Sequence, residues 1–196
     1  MKRIKKPANG ADANQGLMTA LAAASRQLSA KDVACVLIGG FAVNYYGYTR
    51  NTLDVDFMIV GRQYDVVRRV MKKSGFTNIT CNKNVAFFNA PGSLLRVDFL
   101  FVDGNTMRKL LVNAIITSVH GFQIKVPALT DLIAMKIFSL SQDTDRRMGK
   151  DLPDIAYLSV INNLDLEIDI RPLCNRFGTR NIYNLIRDQA QALRRP

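Results

Sequence analysis

The chain has 196 residues, of which 48% are hydrophobic and 22% charged, enough apolar material for a folded core and incompatible with global disorder. Lys and Arg total 27 against 16 Asp and Glu, a formal charge of +11, which attracts polyanions and makes nucleic acid the first partner class to consider. No apolar run reaches the length of a membrane span, no apolar segment backs the basic N-terminus as in a secretory signal, and three scattered cysteines fit a reducing cytoplasm better than a disulfide or zinc framework.

Residues 1–15 are basic, rich in Gly and Asn and poor in apolar side chains, and read as a flexible tail. Leu17 to Leu28 has the composition and apolar spacing of a helix, and Val33 to Ile38 that of a strand. Gly39-Gly40 then opens a short helix carrying Phe41, Val43 and Tyr45. Leu53 to Val60 is the next strand, followed by an amphipathic helix over 62–73 with Tyr64, Val67, Val70 and Met71 inward. Its outward face carries Arg68, Arg69, Lys72 and Lys73, a basic patch or a solvated surface.

Phe76 to Cys81 and Val85 to Ala90 read as short strands about an Asn82-Lys83-Asn84 turn, and Ser93 to Val102 as a longer one. A helix is predicted over Asn105 to Ile116 and a strand over Phe122 to Val126, with His120 in a turn as a surface residue. Thr130 and Asp131 are candidate caps for a helix over Leu132 to Leu140. Residues 141–154 form a polar, partly mobile connector, with the next helix starting near Pro153. Helices over Asp165 to Phe177 and Thr179 to Leu193, separated by Gly178, close the chain. Arg171, Arg176, Arg180, Arg187, Arg194 and Arg195 extend the basic surface there. The whole reads as an α/β (α+β) fold with a mixed sheet and helices flanking it. Its parts are a tail at 1–15, a core at 16–126 and a helical region at 127–196.

The chemistry concentrates on three carboxylates. Side chains two apart on a strand share a face, so Asp54 and Asp56 lie together while Leu53, Val55 and Phe57 take the other side. Two neighbouring carboxylates repel unless a cation joins them, and oxygen ligands suit a hard ion such as Mg²⁺. Asp98 interrupts another apolar strand, where it is costly to bury alone; beside the first strand it completes a three-carboxylate set. Gly39 and Gly40 leave backbone N–H groups open to an anion. Arg50 can hold a phosphate or pair with Asp54, and Thr52 can donate to a phosphate oxygen.

Gly39-Gly40, then Gly47-Tyr48-Thr49-Arg50-Asn51-Thr52-Leu53-Asp54-Val55-Asp56, then Val97-Asp98-Phe99 together resemble the nucleotidyltransferase fold of the DNA polymerase beta superfamily. Within it the pattern is most similar to the AbiEii and MenT-like toxin nucleotidyltransferases. The resemblance implies a triphosphate site at Gly39-Gly40 and two Mg²⁺ ions on Asp54, Asp56 and Asp98, with Asp98 also taking the acceptor's proton. It implies a nucleotide contact from Lys136, which could otherwise extend to solvent. Relatives carry an R-x-x-x-[RK]-D-x-x-D pattern, matched here by Arg146, Lys150, Asp151 and Asp154.

The implied activity moves a nucleoside monophosphate from an NTP to an acceptor hydroxyl. RNA, such as a tRNA 3′ end, is the favoured acceptor, in a toxin–antitoxin or phage-defence setting with a possible antitoxin partner. Two alternatives stand beside it. A small-molecule transferase of the antibiotic-modifying kind would need an acidic pocket, against the +11 charge. A non-catalytic nucleotide- or nucleic-acid-binding protein would have no need of three carboxylates.

Overall fold

The computed structural model describes residues 22, 25–91, 96–119 and 121–195. The expected tail at 1–15 and His120 lie outside that set. Of the helix expected over Leu17 to Leu28, residues 25–28 are helical, and the helix runs on to residue 29. The chain divides into two compact units: one holds the described residues up to Leu37 with Thr52–Val126, the other Ile38–Asn51 with the described residues from Pro127 onward.

The first unit carries a mixed seven-stranded sheet in the order β3-β4-β5-β2-β1-β7-β6. Its strands are β1 (Cys35–Ile38), β2 (Asp54–Val60), β3 (Thr77–Cys81), β4 (Val85–Asn89), β5 (Arg96–Val102), β6 (Ile115–Val119) and β7 (Phe122–Val126). β2 runs parallel to β5 and β1 parallel to β7, while β3/β4, β4/β5 and β6/β7 are antiparallel. A mixed α/β sheet is therefore what the sequence pattern leads to.

Burial along β2 explains where polar chemistry can sit. Its second half, from Phe57 to Val60, is buried throughout, whereas Asp54 and Asp56 alternate with buried Val55. Leu53, expected to open the strand on the face opposite the carboxylates, instead lies before it and is 74% exposed. On the apolar face Phe57 stacks on its register partner Phe99, and Phe88 meets Phe99 edge-on, each at 5.7 Å between centroids. Such cross-strand aromatic pairs pin the register that aligns the opposite face.

After β1, helix α1 (Gly39–Tyr45) begins at Gly39, whose φ of +66° lies in the left-handed region that favours glycine. Helix α2 (Tyr64–Lys73) buries Val67, Val70 and Met71, with Tyr64 half-buried. Helix α3 (Gly104–Val112) is capped by Asp103, which accepts from the Asn105 and Thr106 N–H groups. The helix expected to continue to Ile116 stops at Val112. Ile115-Ile116-Thr117-Ser118-Val119, a largely β-branched run, pairs with β7 as a hairpin instead.

The second unit is largely helical. Beyond α1 it contains α4 (Leu129–Gln142), α5 (Thr144–Arg147), α6 (Asp151–Ile161), a π-helical turn (Leu166–Ile170), α7 (Arg171–Phe177) and α8 (Arg180–Leu193). Thr130 and Asp131 are not caps: α4 starts one turn earlier, after Ala128, with no side-chain cap bond. α6 starts at Asp151, so Pro153 sits in the first turn, where a missing N–H leaves no helical bond unmade. Part of the expected mobile connector is thus ordered, and it contributes two buried carboxylates, Asp151 and Asp154. Gly178 does end α7, at an ordinary φ of −130°. A Cβ there would meet Ile137 at 2.8 Å, so close packing on α4 is what calls for glycine.

Candidate active site

The parallel register of β2 and β5 sets Asp54 opposite Arg96 and Asp56 opposite Asp98. Because alternate residues share a face, these four side chains occupy one patch of the sheet. Asp98 is 5% exposed, whereas Asp54 and Asp56 are half-buried. The patch thus unites all three sequence-predicted carboxylates and adds Arg96, which sequence reasoning passed over. Its two-residue spacing from Asp98 was the available signal.

Arg96 donates from Nε to Asp98 Oδ1 at 2.7 Å and from Nη2 to Asp98 Oδ2 at 2.9 Å. The same Nη2 reaches Asp54 Oδ2 at 3.3 Å. Its guanidinium lies over the Phe87 ring, 4.8 Å from the centroid, and Phe87 is the β4 register partner of Asp98. The bond to Asp98 lifts the Arg96 pKa further above its ordinary value, outweighing the opposing effect of burial. Forked, charge-assisted bonds of this kind fix a carboxylate in orientation as well as charge. One cation thus neutralises part of an acidic cluster, a position a hard metal ion would also favour.

Among the described residues no group of three or more His, Cys, Asp and Glu side chains adopts a ready metal-binding arrangement. Arg96 stands among the three expected carboxylate ligands, bonded to Asp98 and Asp54. The donor set nevertheless fits Mg²⁺: hard carboxylate oxygens on one face, with a guanidinium standing where positive charge is wanted. Thr52 donates from its hydroxyl to the Asp54 carbonyl at 3.2 Å, bracing the start of β2.

The second unit gathers a different set. Lys136 is 6% exposed, and its Nζ donates to Asp151 Oδ1 at 3.0 Å and to Asp154 Oδ2 at 2.7 Å. It does not extend to solvent. Arg50 pairs with Asp154 rather than Asp54, through Nε at 2.6 Å and Nη2 at 2.8 Å. Burial would lower the Arg50 pKa, but the bond to Asp154 and its charge raise it overall. Asn44 accepts from the Arg50 N–H and donates to the Arg50 carbonyl, both at 3.0 Å. Tyr46 donates from its hydroxyl to the Pro127 carbonyl at 2.6 Å, and Tyr48 stacks on Tyr157 at 4.2 Å. These contacts fasten residues 44–50 to Pro127, just ahead of α4, and to α6. Lys150 precedes α6 and is exposed, and Arg146 is exposed too. Gly39 and Gly40 open α1, Gly40 being buried.

A model of the nucleotidyl transferase AbiEii toxin family, Type IV toxin–antitoxin system, matches residues 20–194. No curated protein matches by sequence. Among solved structures, a nucleotidyltransferase-like antigen from Paracoccidioides brasiliensis is 18% identical, with a TM-score of 0.55 over 92% of this chain and 89% of its own. The antibiotic-resistance factor ANT(2'')-Ia is 10% identical, with a TM-score of 0.55 over 90% of each chain. The lincosamide antibiotic adenylyltransferase LnuA is 12% identical, with a TM-score of 0.52 over 73% of this chain and 96% of its own. At such identities these neighbours establish the shared fold. With the acidic patch on that fold and the family match across nearly the whole chain, the protein belongs to the AbiEii nucleotidyltransferase toxin family.

Proposed function

We infer that this nucleotidyltransferase moves a nucleoside monophosphate from an NTP to a hydroxyl of an RNA acceptor, such as a tRNA 3′ end, in a Mg²⁺-dependent reaction. The setting is a toxin–antitoxin or phage-defence system in the cytoplasm, with an antitoxin as a possible partner. The observation that carries the catalytic part is the in-register patch of Asp54, Asp56 and Asp98. The net charge of +11 supports a polyanionic acceptor over a cationic drug.

The acceptor oxygen attacks the α-phosphorus, the bond from that phosphorus to the β-phosphate's bridging oxygen breaks, and pyrophosphate leaves. Asp98 takes the acceptor's proton, and Arg96 keeps that carboxylate oriented. Asp54, Asp56 and Asp98 are the proposed Mg²⁺ ligands, and the ions when bound supply charge neutralisation for the phosphates and for the attacking and leaving oxygens. Gly39, Gly40, Thr52 and Lys150 are proposed triphosphate contacts. Lys136, Arg50, Asp151 and Asp154 are proposed to serve nucleotide binding by holding residues 44–50 in place, since their charges are already paired.

The test is label transfer. The full chain is incubated with Mg²⁺, each α-labelled NTP in turn and total bacterial RNA, beside a double variant, Asp54→Ala with Asp56→Ala. Label on an RNA band, absent with the variant, is expected. Label on a small cationic acceptor, or none anywhere, overturns the RNA reading.

A further inference from the structure

Resting on the reading of RNA as acceptor, we propose that the groove between Lys31 and α2 is a backbone-phosphate subsite that seats the acceptor RNA without reading its sequence. The groove is a cavity of about 260 Å³ lined by Gln27, Lys31, Val66, Arg69, Val70 and Lys73. Val66, Arg69, Val70 and Lys73 follow the i, i+3, i+4, i+7 spacing of one helix face, so two cations rise from an apolar floor. Lys31 faces them from the turn after residues 25–29. That turn is tied to the segment before α2, because Gln63 donates to the Asp32 carbonyl at 3.1 Å.

Three features select the ligand. Lys31, Arg69 and Lys73 are all exposed, and none makes an ion pair or side-chain hydrogen bond among the described residues, although Asp32 and Asp65 are near in sequence. Three arginines of the second unit behave differently: Arg171 binds Glu167, Arg187 binds Asp188, and Arg194 donates to the Leu164 carbonyl. Cations that converge without a carboxylate draw their counter-charge from outside the chain. The volume falls below the roughly 300–1,000 Å³ of a small-molecule pocket, so it suits a phosphate group with its chain continuing along the surface. No aromatic ring is among the described residues that line the groove, so these offer bases no stacking platform, and contacts there position a strand rather than specify it.

The experiment compares the full wild-type chain with a groove variant, Lys31→Ala, Arg69→Ala and Lys73→Ala together. A control variant of equal charge change carries Lys83→Ala, Arg108→Ala and Lys109→Ala, all exposed residues of the same unit. Affinity for a tRNA transcript and for poly(U) is measured across KCl concentrations, with NTP binding and thermal unfolding in parallel. The groove variant is expected to lose about tenfold or more in affinity for both RNAs near 100 mM salt. Its slope of log K against log salt should be shallower by about 2, as three lost single-strand phosphate contacts require. NTP binding and unfolding should stay at wild-type values, and the control should lose far less.

Equal RNA binding by wild type and groove variant, or an equal loss in the control, overturns the groove while RNA labelling by the wild type keeps the acceptor reading intact. A wild type that neither labels nor binds RNA defeats both. Preferential capture by phosphatidylserine vesicles, lost in the groove variant, reassigns the surface to a membrane and likewise overturns the proposal.

Discussion

Arg96 grips Asp98, its neighbour two residues along β5, with two hydrogen bonds of 2.7 and 2.9 Å, and reaches Asp54 on β2 with the same guanidinium. A side chain of the protein thereby provides part of the positive charge that three clustered carboxylates demand. Arg96→Ala should destabilise the fold by about 1 kcal/mol in the absence of divalent ions, a modest figure because the arginine is 38% exposed. Mg²⁺ should then raise the unfolding temperature more in the variant than in the wild type. Thermal unfolding with and without Mg²⁺ decides the matter, and equal shifts would show that arginine and metal do not compete for the same oxygens.

Lys136 answers to a different ledger. It sits between Asp151 and Asp154 with almost no solvent. Lys136→Met leaves two buried carboxylates with less compensation, Arg50 on one and a 3.6 Å contact from Arg147 on the other. A loss of about 3 kcal/mol or more is expected, measured by urea unfolding. Wild-type stability with abolished turnover would instead make Lys136 a substrate contact and not a scaffold.

Asp131, half-buried in the first turn of α4, has one oxygen buried without a hydrogen-bond partner among the described residues, and burial raises its pKa. A raised folded-state value means that ionisation opposes folding. The penalty is absent below the unfolded-state pKa near 4 and grows as pH rises through the folded value. Asp131→Asn should therefore increase the unfolding temperature at pH 7.5, with the gain shrinking toward pH 4. A variant less stable at both pH values would mean that the carboxylate's favourable position at the helix start prevails.

The three thiols should separate cleanly. Burial pushes Cys174 up to about 11 and Cys35 up to about 12, despite Lys125 near the latter, while Cys81 is exposed. Since the thiolate is the nucleophile, a thiol-specific reagent at pH 8 should modify Cys81 alone in the folded protein and all three cysteines after denaturation. Rapid modification of a second cysteine in the native chain would show that β1 or α7 opens readily.

What could be read in advance followed from short-range rules. Alternation placed Asp54 and Asp56 on one face, and the lone Asp98 in an apolar run announced a buried charge in need of a partner. Helical spacing on α2 separated its core face from Arg69 and Lys73, the two α2 cations now assigned to the groove. The misplaced pieces depend on partners distant in sequence. Ile115 and Ile116 satisfy a helical stripe as well as a strand, and only pairing with β7 decides between them. Asp151 and Asp154 sit in a polar stretch, and only Lys136 and Arg50 explain their burial. Arg96 was half legible: Asp98 lies two positions along the strand, but the reach to Asp54, 42 positions earlier, needs the pairing of β2 with β5.

The parallel alignment of β2 with β5 also sets when the acidic patch can form. Asp56 and Asp98 meet only after β3, β4 and β5 have been made, and β1 gains its outer neighbour only with β7, whose Lys125 pairs with Val36. Parallel pairings across such separations are slow to close and form late in folding. During synthesis, which proceeds from the N-terminus, the acidic strand emerges long before the strand that completes the patch. A growing chain consequently passes through an interval in which it carries Asp54 and Asp56 without Asp98, two of the three carboxylates of the patch, and the proposed site is complete only once β5 has paired with β2.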